Sequence, residues 1–179
     1  MNPMSHARPI KLALPILLAS LLVPGLAWSK DSDREQPMSI DAGAQSGSLN
    51  GSGKTLLSGG VIILQGTLEL RSSEGELYMD DNQIVRAVFT GKQATLKQQL
   101  DDGTWMNASA DRIDYDIPGE TLTLTGNYKV DSERGSNAGQ RMVYNTRSGD
   151  MQSGGDGTRV RTVIQPRSKA PAAPQGEKK

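Results

Sequence analysis

The stretch SLNGSGKTLLSGGVIILQG, Ser48 to Gly66, decides between two fold classes. It contains GSGKT, the closing letters of a phosphate-binding P-loop. That pattern also needs a glycine five residues before Gly53 and a helix directly after the loop, where phosphate would meet the helix N-terminus. Position 48 is serine, and Val61 to Leu64 is a β-branched apolar run typical of a strand. The stretch therefore predicts a glycine-rich turn between two strands and no nucleotide site.

Apolar residues recur at every second position along much of the remaining chain, which predicts half-buried strands. The alternating sets are Met38 and Ile40; Leu68 and Leu70; Ile113, Tyr115 and Ile117; Leu122 and Leu124; and Val160, Thr162 and Ile164. Clusters of turn-forming residues separate them and predict hairpin turns or sheet corners at residues 72–75, 80–82, 101–103, 118–119 and 147–150.

The chain also contains an internal repeat. Residues 108–126 align without gaps on residues 137–155, residues 57–63 echo residues 124–130, and residues 71–78 form a weaker third copy. The aligned pairs include Arg112 with Arg141, Ile113 with Met142, Tyr115 with Tyr144 and Gly126 with Gly155. A period of about 29 residues predicts a two-strand unit whose copies stack around a shared interior. Such a stack forms a closed up-and-down barrel or two facing sheets, and the glycine-rich corners favour the open double sheet.

The N-terminus has the features of a secretory signal peptide. Arg8 and Lys11 precede an uncharged apolar run at residues 12–23, and Ala27-Trp28-Ser29 offers a cleavage site. A membrane anchor is the rival interpretation, but the run is short and interrupted by proline. We expect a signal peptide at 1–29, a flexible segment at 30–35, one domain at 36–166 and a disordered tail at 167–179.

Removal of residues 1–29 leaves a chain with little catalytic or nucleic-acid-binding chemistry. It loses two of the 20 Lys and Arg, so 18 face 20 Asp and Glu, too even a balance for an electrostatic nucleic-acid binder. It has no cysteine, and the one histidine, His6, is removed, which excludes His-based triads and the common zinc sites. The carboxylate pairs at 80–81 and 101–102 and the GGDG at 154–157 are interpreted as solvated turns. We therefore expect no enzyme activity, no cofactor and no metal.

Several of these segments resemble the LptA/OstA-like family of periplasmic lipopolysaccharide-transport proteins, and the likeness spans residues 36–166. The segments are QPMSIDAG from Gln36, LSGGVIILQGTLEL from Leu57, SADRIDYD from Ser109, LTLTGNYKV from Leu122 and TRVRTVIQP from Thr158. The resemblance implies an all-β fold, a twisted antiparallel β-jelly roll (OstA-like) open at both ends. It also implies a location in the periplasm and an apolar groove for the lipid A acyl chains of lipopolysaccharide. Family members join head to tail and connect an inner-membrane-anchored LptC-like protein to an outer-membrane LptD-like translocon.

The resemblance also suggests which residues would bind the lipid. Met38, Ile40, Leu96, Tyr115 and Ile117 match groove-facing family positions, although the family often has an aromatic residue where Leu96 stands. The alternative is that these side chains fill a dry core, because alternation gives the face of a strand but not what contacts it.

Two further surfaces are predicted from alternation. Val160, Thr162 and Ile164 would lie on one face of a C-terminal edge strand that pairs with a partner, with Arg159 and Arg161 on the other face. Val61 to Leu64 is apolar on both faces, which is typical of a central strand; a partner-binding outer face is the alternative, and core is favoured.

A second functional hypothesis is an exported glycan-binding or glycan-cleaving β protein. Glycan sites commonly use several exposed aromatic residues. Beyond residue 29 this chain has one Trp, one Phe and four Tyr, whereas Leu, Ile, Val and Met are abundant. That composition suits acyl chains better than sugars.

Overall fold

The computed structural model describes residue 33 and residues 35–166, which form ten strands of one antiparallel sheet. The strands are β1 Met38–Ser46, β2 Gly53–Gln65, β3 Leu68–Ser72, β4 Glu74–Asp80, β5 Gln83–Gln99, β6 Trp105–Asp116, β7 Thr121–Ser132, β8 Gly135–Asn145, β9 Met151–Ser153 and β10 Arg161–Ile164. Within this part of the chain no helix is long and apolar enough to cross a membrane. The predicted signal peptide at 1–29 and tail at 167–179 lie outside the described residues.

The GSGKT segment opens a strand, as its sequence predicts. Loop residues 47–52 lead directly into β2, which runs for 13 residues without a helix. Thr55, which would bind a metal ion in a P-loop, is fully buried, and its hydroxyl donates a hydrogen bond of 2.7 Å to the Ser48 carbonyl. The nucleotide-site interpretation is therefore excluded by the local structure as well as by the pattern.

Most of the predicted turns are hairpin turns, and one is not. Asp81 and Asn82 connect β4 to β5 with φ angles of 46° and 64°, the left-handed pair that a two-residue hairpin requires. The clusters at 101–103, 118–119 and 147–150 also join successive antiparallel strands. At 72–75, however, β3 and β4 continue in the same direction, because both pair with β2 and both pair with β5. Of the two predicted possibilities, a hairpin turn or a sheet corner, residues 72–75 therefore form a sheet corner.

The strands bend along one common line, which divides the sheet into two halves. The ladder registers shift between Ala42 and Ala44, between Thr90 and Ala94, between Ser109 and Arg112, and between Thr125 and Tyr128. We call the part that contains β3 and β10 the first half-sheet, and the part that contains β4 and β9 the second half-sheet. A β-bulge at the same level in each strand bends the whole sheet, so the halves fold over one another.

Glycine makes this bend possible where β1 crosses β2. Gly59 has a φ of 78°, and a Cβ on Gly43 would lie 2.8 Å from the Gly59 carbonyl oxygen. Two backbones can approach this closely only without side chains between them. The glycine-rich corner predicted from the sequence is thus a site of close backbone contact.

The core lies between the two half-sheets. One hydrophobic cluster includes Leu70 and Leu96 from the first half-sheet together with Phe89 and Ile113 from the second, all with at most 7% of their surface exposed. Because these residues lie on the inner faces of separate halves, the halves must pack against each other. The result is an antiparallel jelly roll whose path of strands begins at β1 and ends at β10.

The internal repeat corresponds to rows of the sheet. Arg112 and Arg141 lie opposite the same β7 residue, Thr125, on its two sides, and Tyr115 and Tyr144 likewise flank Leu122. Repeated residues are therefore two strands apart in one row, which confirms the two-strand unit. The third copy is one residue out of step, because Leu77, not Tyr78, shares the row of Tyr115.

Asp33, within the segment 30–35 that was expected to be flexible, is buried against the sheet. Its side chain is 4% exposed and accepts hydrogen bonds from Thr67 Oγ1 and, at 3.2 Å, from Gln98 Nε2. Its carbonyl accepts a bond of 3.1 Å from the Gln36 N–H. The chain is therefore fixed against the β2–β3 turn at Asp33, just before β1 begins.

Candidate functional site

The inner face of the first half-sheet carries a row of side chains that crosses the whole molecule. Directly paired residues share a face, so the row can be read across the ladders. From β1 to β10 it consists of Ile40, Ile63, Leu70, Leu96, Ala108, Val130, Asn137 and Thr162. Its first six members are apolar and its last two are polar. The row is therefore an apolar surface that begins at the N-terminal end strand and stops at β8.

The second half-sheet faces it with two further rows. One consists of Thr55, Leu77, Ala87, Tyr115, Leu122, Tyr144 and Met151, and the other of Leu57, Gly75, Phe89, Ile113, Leu124, Met142 and Ser153. Burial in this interior raises the pKa of the Tyr144 phenol, because the anion would lose its hydration. The space between the half-sheets is thus a desolvated, mainly aliphatic environment.

The five predicted lipid-binding residues are distributed over both half-sheets. Ile40 and Leu96 share the row of the first half-sheet, and Tyr115 faces them from the second. Ile117 lies just beyond β6, half-buried, with its N–H bonded to the Val85 carbonyl at 3.1 Å. Met38 begins β1 and is 41% exposed. The structure therefore places Ile40 and Leu96 in one row, separated by Ile63 and Leu70, and places Met38 and Ile117 at the ends of their strands.

Leu96 and its neighbours are packed, whereas other inner residues are accessible. Leu96 is 7% exposed, while a set of inner residues is only partly buried against the core: Ile40, Ala42, Leu68, Ile84, Met106, Tyr115, Val130 and Tyr144. A bulky apolar ligand would contact this second set first. Five of these residues were not among the predicted lipid-binding residues: Leu68, Ile84, Met106, Val130 and Tyr144. The repeat that aligns Tyr144 with Tyr115 is the signal that could have identified Tyr144.

The C-terminal end of the sheet is made of two short strands. β9 and β10 both pair with β8, in the same direction, so they form one interrupted strand pass. Asn137, 7% exposed, accepts a hydrogen bond of 2.5 Å from the buried Tyr128 hydroxyl and donates one of 2.8 Å to Thr162 Oγ1. This chain of hydrogen bonds holds β10 against β8.

The predicted edge residues lie in or next to this pass. Thr162 and Ile164 belong to β10, and Val160 precedes it and is half-buried. Ile164 is 80% exposed, and Met151 in β9 is 51% exposed. In the described part of the chain, β1 and β10 are the two terminal strands of the path, so each has one side without a neighbouring strand.

The outer face of β2 differs from the expected covered strand. Val61 and Ile63 are buried in the core, but Leu64 is 45% exposed and Ile62 is half-buried. The prediction of core on both sides of 61–64 is therefore wrong for the outward-facing residues. A single sheet layer covers β2 on its inner face only.

Charged residues on the outer face form structural ion pairs. Arg86 donates two hydrogen bonds to Asp114, at 2.8 Å and 2.7 Å, and these bonds lower the pKa of the Asp114 carboxyl. Of the carboxylates considered for catalysis, Asp80 ends β4 and the others lie in turns, where Asp102 accepts a bond of 2.6 Å from the Thr104 hydroxyl. Among the described residues, no group of three or more potential ligands could hold a metal ion.

Comparison with known families decides the classification. The family model described as "LptA/(LptD N-terminal domain) LPS transport protein" matches residues 40–150. The chain belongs to this family. The match covers every row of the interior from Ile40 on β1 to Tyr144 on β8.

Individual LptA relatives agree with this assignment. The lipopolysaccharide export system protein LptA of Escherichia coli K12 is 30% identical over 163 residues, which cover 87% of this chain and 86% of that protein. LptA of Haemophilus influenzae is 27% identical over 156 residues, covering 84% and 89%. By name these relatives are transport proteins and not enzymes, which favours the transport hypothesis over a glycan-cleaving one.

A solved structure confirms the fold. LptH of Pseudomonas aeruginosa, the LptA homologous periplasmic component of the lipopolysaccharide transport device, superposes with a TM-score of 0.67 at 27% identity. The superposition covers 75% of this chain and 99% of LptH. The predicted membership of the LptA/OstA-like family and the all-β antiparallel fold are both confirmed.

Proposed function

We propose that this chain is a periplasmic bridge protein that binds lipopolysaccharide and carries it from the inner to the outer membrane. The acyl chains of lipid A would lie between the two half-sheets. The observation that carries this proposal is the apolar row from Ile40 to Val130, which crosses six neighbouring strands without a polar residue.

The physical requirement is shielding from water. Each exposed CH₂ group costs about 0.8 kcal/mol, so a lipid with several acyl chains needs an apolar surface throughout its passage. The partly buried inner residues, such as Leu68, Met106 and Tyr144, offer the first contacts. Because the deeper residues are packed, acyl chains would have to displace contacts between the half-sheets as they enter. The affinity then depends on aliphatic area and not on a polar pocket.

Bridge formation would use the two end strands. Successive strand passes run in opposite directions, and there are eight passes from β1 to β9–β10 in the described residues. β1 and β9–β10 therefore run antiparallel to each other. If one molecule stacks on the next in the same orientation, β1 of one copy meets β9–β10 of the other as an antiparallel pair. Each half-sheet then continues into its counterpart, and the interior continues with it.

The same ends would receive the flanking components. An LptC-like protein anchored in the inner membrane would dock at one end and an LptD-like outer-membrane translocon at the other, in each case by adding a strand to the exposed backbone of β1 or β10. Such strand addition takes its affinity from main-chain hydrogen bonds and its specificity from side chains such as Ile164.

Site-specific photo-crosslinking in intact cells tests the interior. A photoreactive residue at Ile40, Leu96 or Tyr115 should yield adducts that an anti-lipopolysaccharide antibody detects. Leu64 is the matched control, since it is an aliphatic residue of the same sheet that points outward and is 45% exposed. Equal yields from Leu64 and Ile40 would refute an interior site.

Charged substitutions provide a second test with purified protein. Ile40→Asp and Ile117→Asp should abolish binding of lipid A, because a carboxylate would have to be desolvated beside the acyl chains. Circular dichroism establishes whether each variant keeps its β structure. A folded variant that binds lipid A as the parent does would place the acyl chains elsewhere.

A further inference from the structure

The outer surface of the first half-sheet carries an open groove of about 300 Å³ that the proposed acyl-chain site does not use. Thr95, Asn107 and Ser109 contribute hydroxyl and amide groups to its lining. These residues point outward, because Thr95 pairs with Ser109 and Leu96, next to Thr95, faces the core. These three residues give the groove uncharged hydrogen-bond donors and acceptors.

The charged residues of the groove balance one another. They are Glu69, Lys97, Lys129 and Asp131, two acidic and two basic. Lys129 pairs with Asp131 at 2.8 Å, and Glu69 pairs with Arg71. Without a net positive charge the groove has no particular attraction for a phosphate group. The hydroxyl and amide groups of the lining, with this balanced set of charges, suit a ligand rich in hydroxyl groups.

An exposed indole lies at the end of this groove. Trp105 is 40% exposed and lies two residues before Asn107 on β6, so both side chains are on the outer face. The ammonium of Lys97, which lines the groove, is 4.6 Å from the centre of the Trp105 ring. An indole with free surface beside hydroxyl and amide groups is suited to stack on the C–H face of a sugar ring.

The position of Trp105 connects this surface to the interior. Trp105 is the first residue of β6 and pairs with Gln99, the last residue of β5, so it lies at the rim of the half-sheet. The next residue, Met106, faces inward and packs partly buried against the core. One strand end thus presents an apolar side chain inside and an indole outside. An amphiphile whose acyl chains contact Met106 could place its sugars over the rim, against Trp105.

We propose that Trp105 and the outer groove form a binding site for sugar rings, and that these belong to the lipopolysaccharide whose acyl chains lie inside. The second part rests on the proposed function. The site would hold the polar part of the cargo against the protein while the interior holds the apolar part. Lys97 would keep one face of the indole covered and leave the remainder for the sugar.

Tryptophan fluorescence tests the site directly. In the full chain carrying Trp28→Phe, Trp105 is the sole indole, so its emission reports on this site alone. The probes are an acyl-free, dephosphorylated saccharide prepared from lipopolysaccharide, chitotetraose as an unrelated sugar, and phosphatidylglycerol as an acyl lipid without sugars. We expect a saturable emission change with the first probe, weaker binding of chitotetraose and no change with phosphatidylglycerol.

Calorimetric titration of variants gives the magnitude. Trp105→Ala should weaken binding of the acyl-free saccharide about three- to tenfold, as expected for the loss of one aromatic stacking contact. Asn107→Ala should also weaken it. Leu56→Ala is the matched control, because Leu56 is 44% exposed on the outer face of the other half-sheet. It should leave saccharide binding unchanged.

Three results would overturn the proposal: no saturable response to the acyl-free saccharide, the same response to phosphatidylglycerol, or binding of chitotetraose without binding of the acyl-free saccharide. Crosslinking from Ile40 is measured in parallel. If the photoreactive residue at Ile40 gives no lipopolysaccharide adducts although the protein binds the saccharide, only the proposed function is contradicted. Normal Ile40 adducts in a protein that binds no saccharide contradict this site only.

Discussion

Gly135→Ala should detach β10 from the sheet while the rest of the jelly roll stays folded. Gly135 begins β8 with a φ of 141°, a conformation that L side chains rarely adopt. An added Cβ would overlap the carbonyl oxygen of Val163 in β10, and this oxygen belongs to the backbone and cannot rotate away. The pairing of Gly135 with Ile164 must therefore open.

The expected cost follows from the size of β10. It pairs with β8 over four residues and is also held by the Asn137–Thr162 hydrogen bond. Loss of about two backbone hydrogen bonds at its end amounts to about 1–3 kcal/mol, since each contributes about 0.5–1.5 kcal/mol net. Amide exchange in residues 162–165 should then accelerate by about 5- to 150-fold. Among the described strands β10 pairs only with β8, so the amides of the other strands should stay protected from exchange.

Hydrogen exchange with mass spectrometry, combined with light scattering, measures both consequences. Gly155→Ala is the control: Gly155 has a φ of 87°, so alanine is strained there too, but no atom lies within 4 Å of the added Cβ. Gly135→Ala should expose β10 and shorten head-to-tail oligomers, and Gly155→Ala should do neither. A Gly135→Ala protein whose β10 amides stay protected would refute the reasoning, as would equal shortening by both variants.

Further predictions concern the core, pH, metal and chain end. Ile113→Ala, at a fully buried position, should lower the free energy of unfolding by about 2–5 kcal/mol in urea denaturation; a loss below 1 kcal/mol would mean that the half-sheets close over the cavity. Because the pKa of Asp114 is lowered, its contribution to stability is complete above the ordinary value of 3.8 and is lost as pH falls through the lowered value. Asp114→Asn should therefore reduce the loss of unfolding free energy at acid pH. Parallel stability curves for the variant and the parent would contradict the Arg86–Asp114 pairing. EDTA should leave lipid binding unchanged; a loss restored by calcium would implicate the GGDG at 154–157. Deletion of 158–179 should preserve most of the fold yet shorten oligomers, and a truncated protein that simply unfolds would show that this strand closes a monomer core.

Local signals in the sequence predicted many of the strands and most turns, but they identified no alternating set within the 17-residue strand β5. Asp81-Asn82 specifies a tight hairpin because both residues tolerate left-handed φ angles, and alternation marks Leu122 and Leu124 as inward-facing. The corner at 72–75 has the composition of a hairpin turn. The chain continues in the same direction there because both flanking strands pair with β2. That pairing is a long-range contact, which the local sequence does not encode.

The candidate site was predicted in part for the same reason. Alternation and family resemblance identified Ile40, Leu96 and Tyr115 as inner residues, and the structure places them on the inner faces. They did not identify Met106, which lies at a strand end, or Asn137, whose burial depends on Tyr128 and Thr162 from other strands. Alternation likewise gave no indication that Leu64 would be exposed, because a strand does not encode whether a second layer covers it.

The even number of strand passes has a consequence for how such molecules can change in length. The 29-residue repeat supplies two passes, so duplicating or deleting one unit leaves the first and last strands antiparallel, as they are now. Neighbouring strands lie about 4.8 Å apart, so each unit gained or lost changes the span of the interior by about 10 Å. A single extra pass would instead reverse one end and make it incompatible with the other. Size can therefore evolve in whole hairpins without any redesign of the joints between molecules.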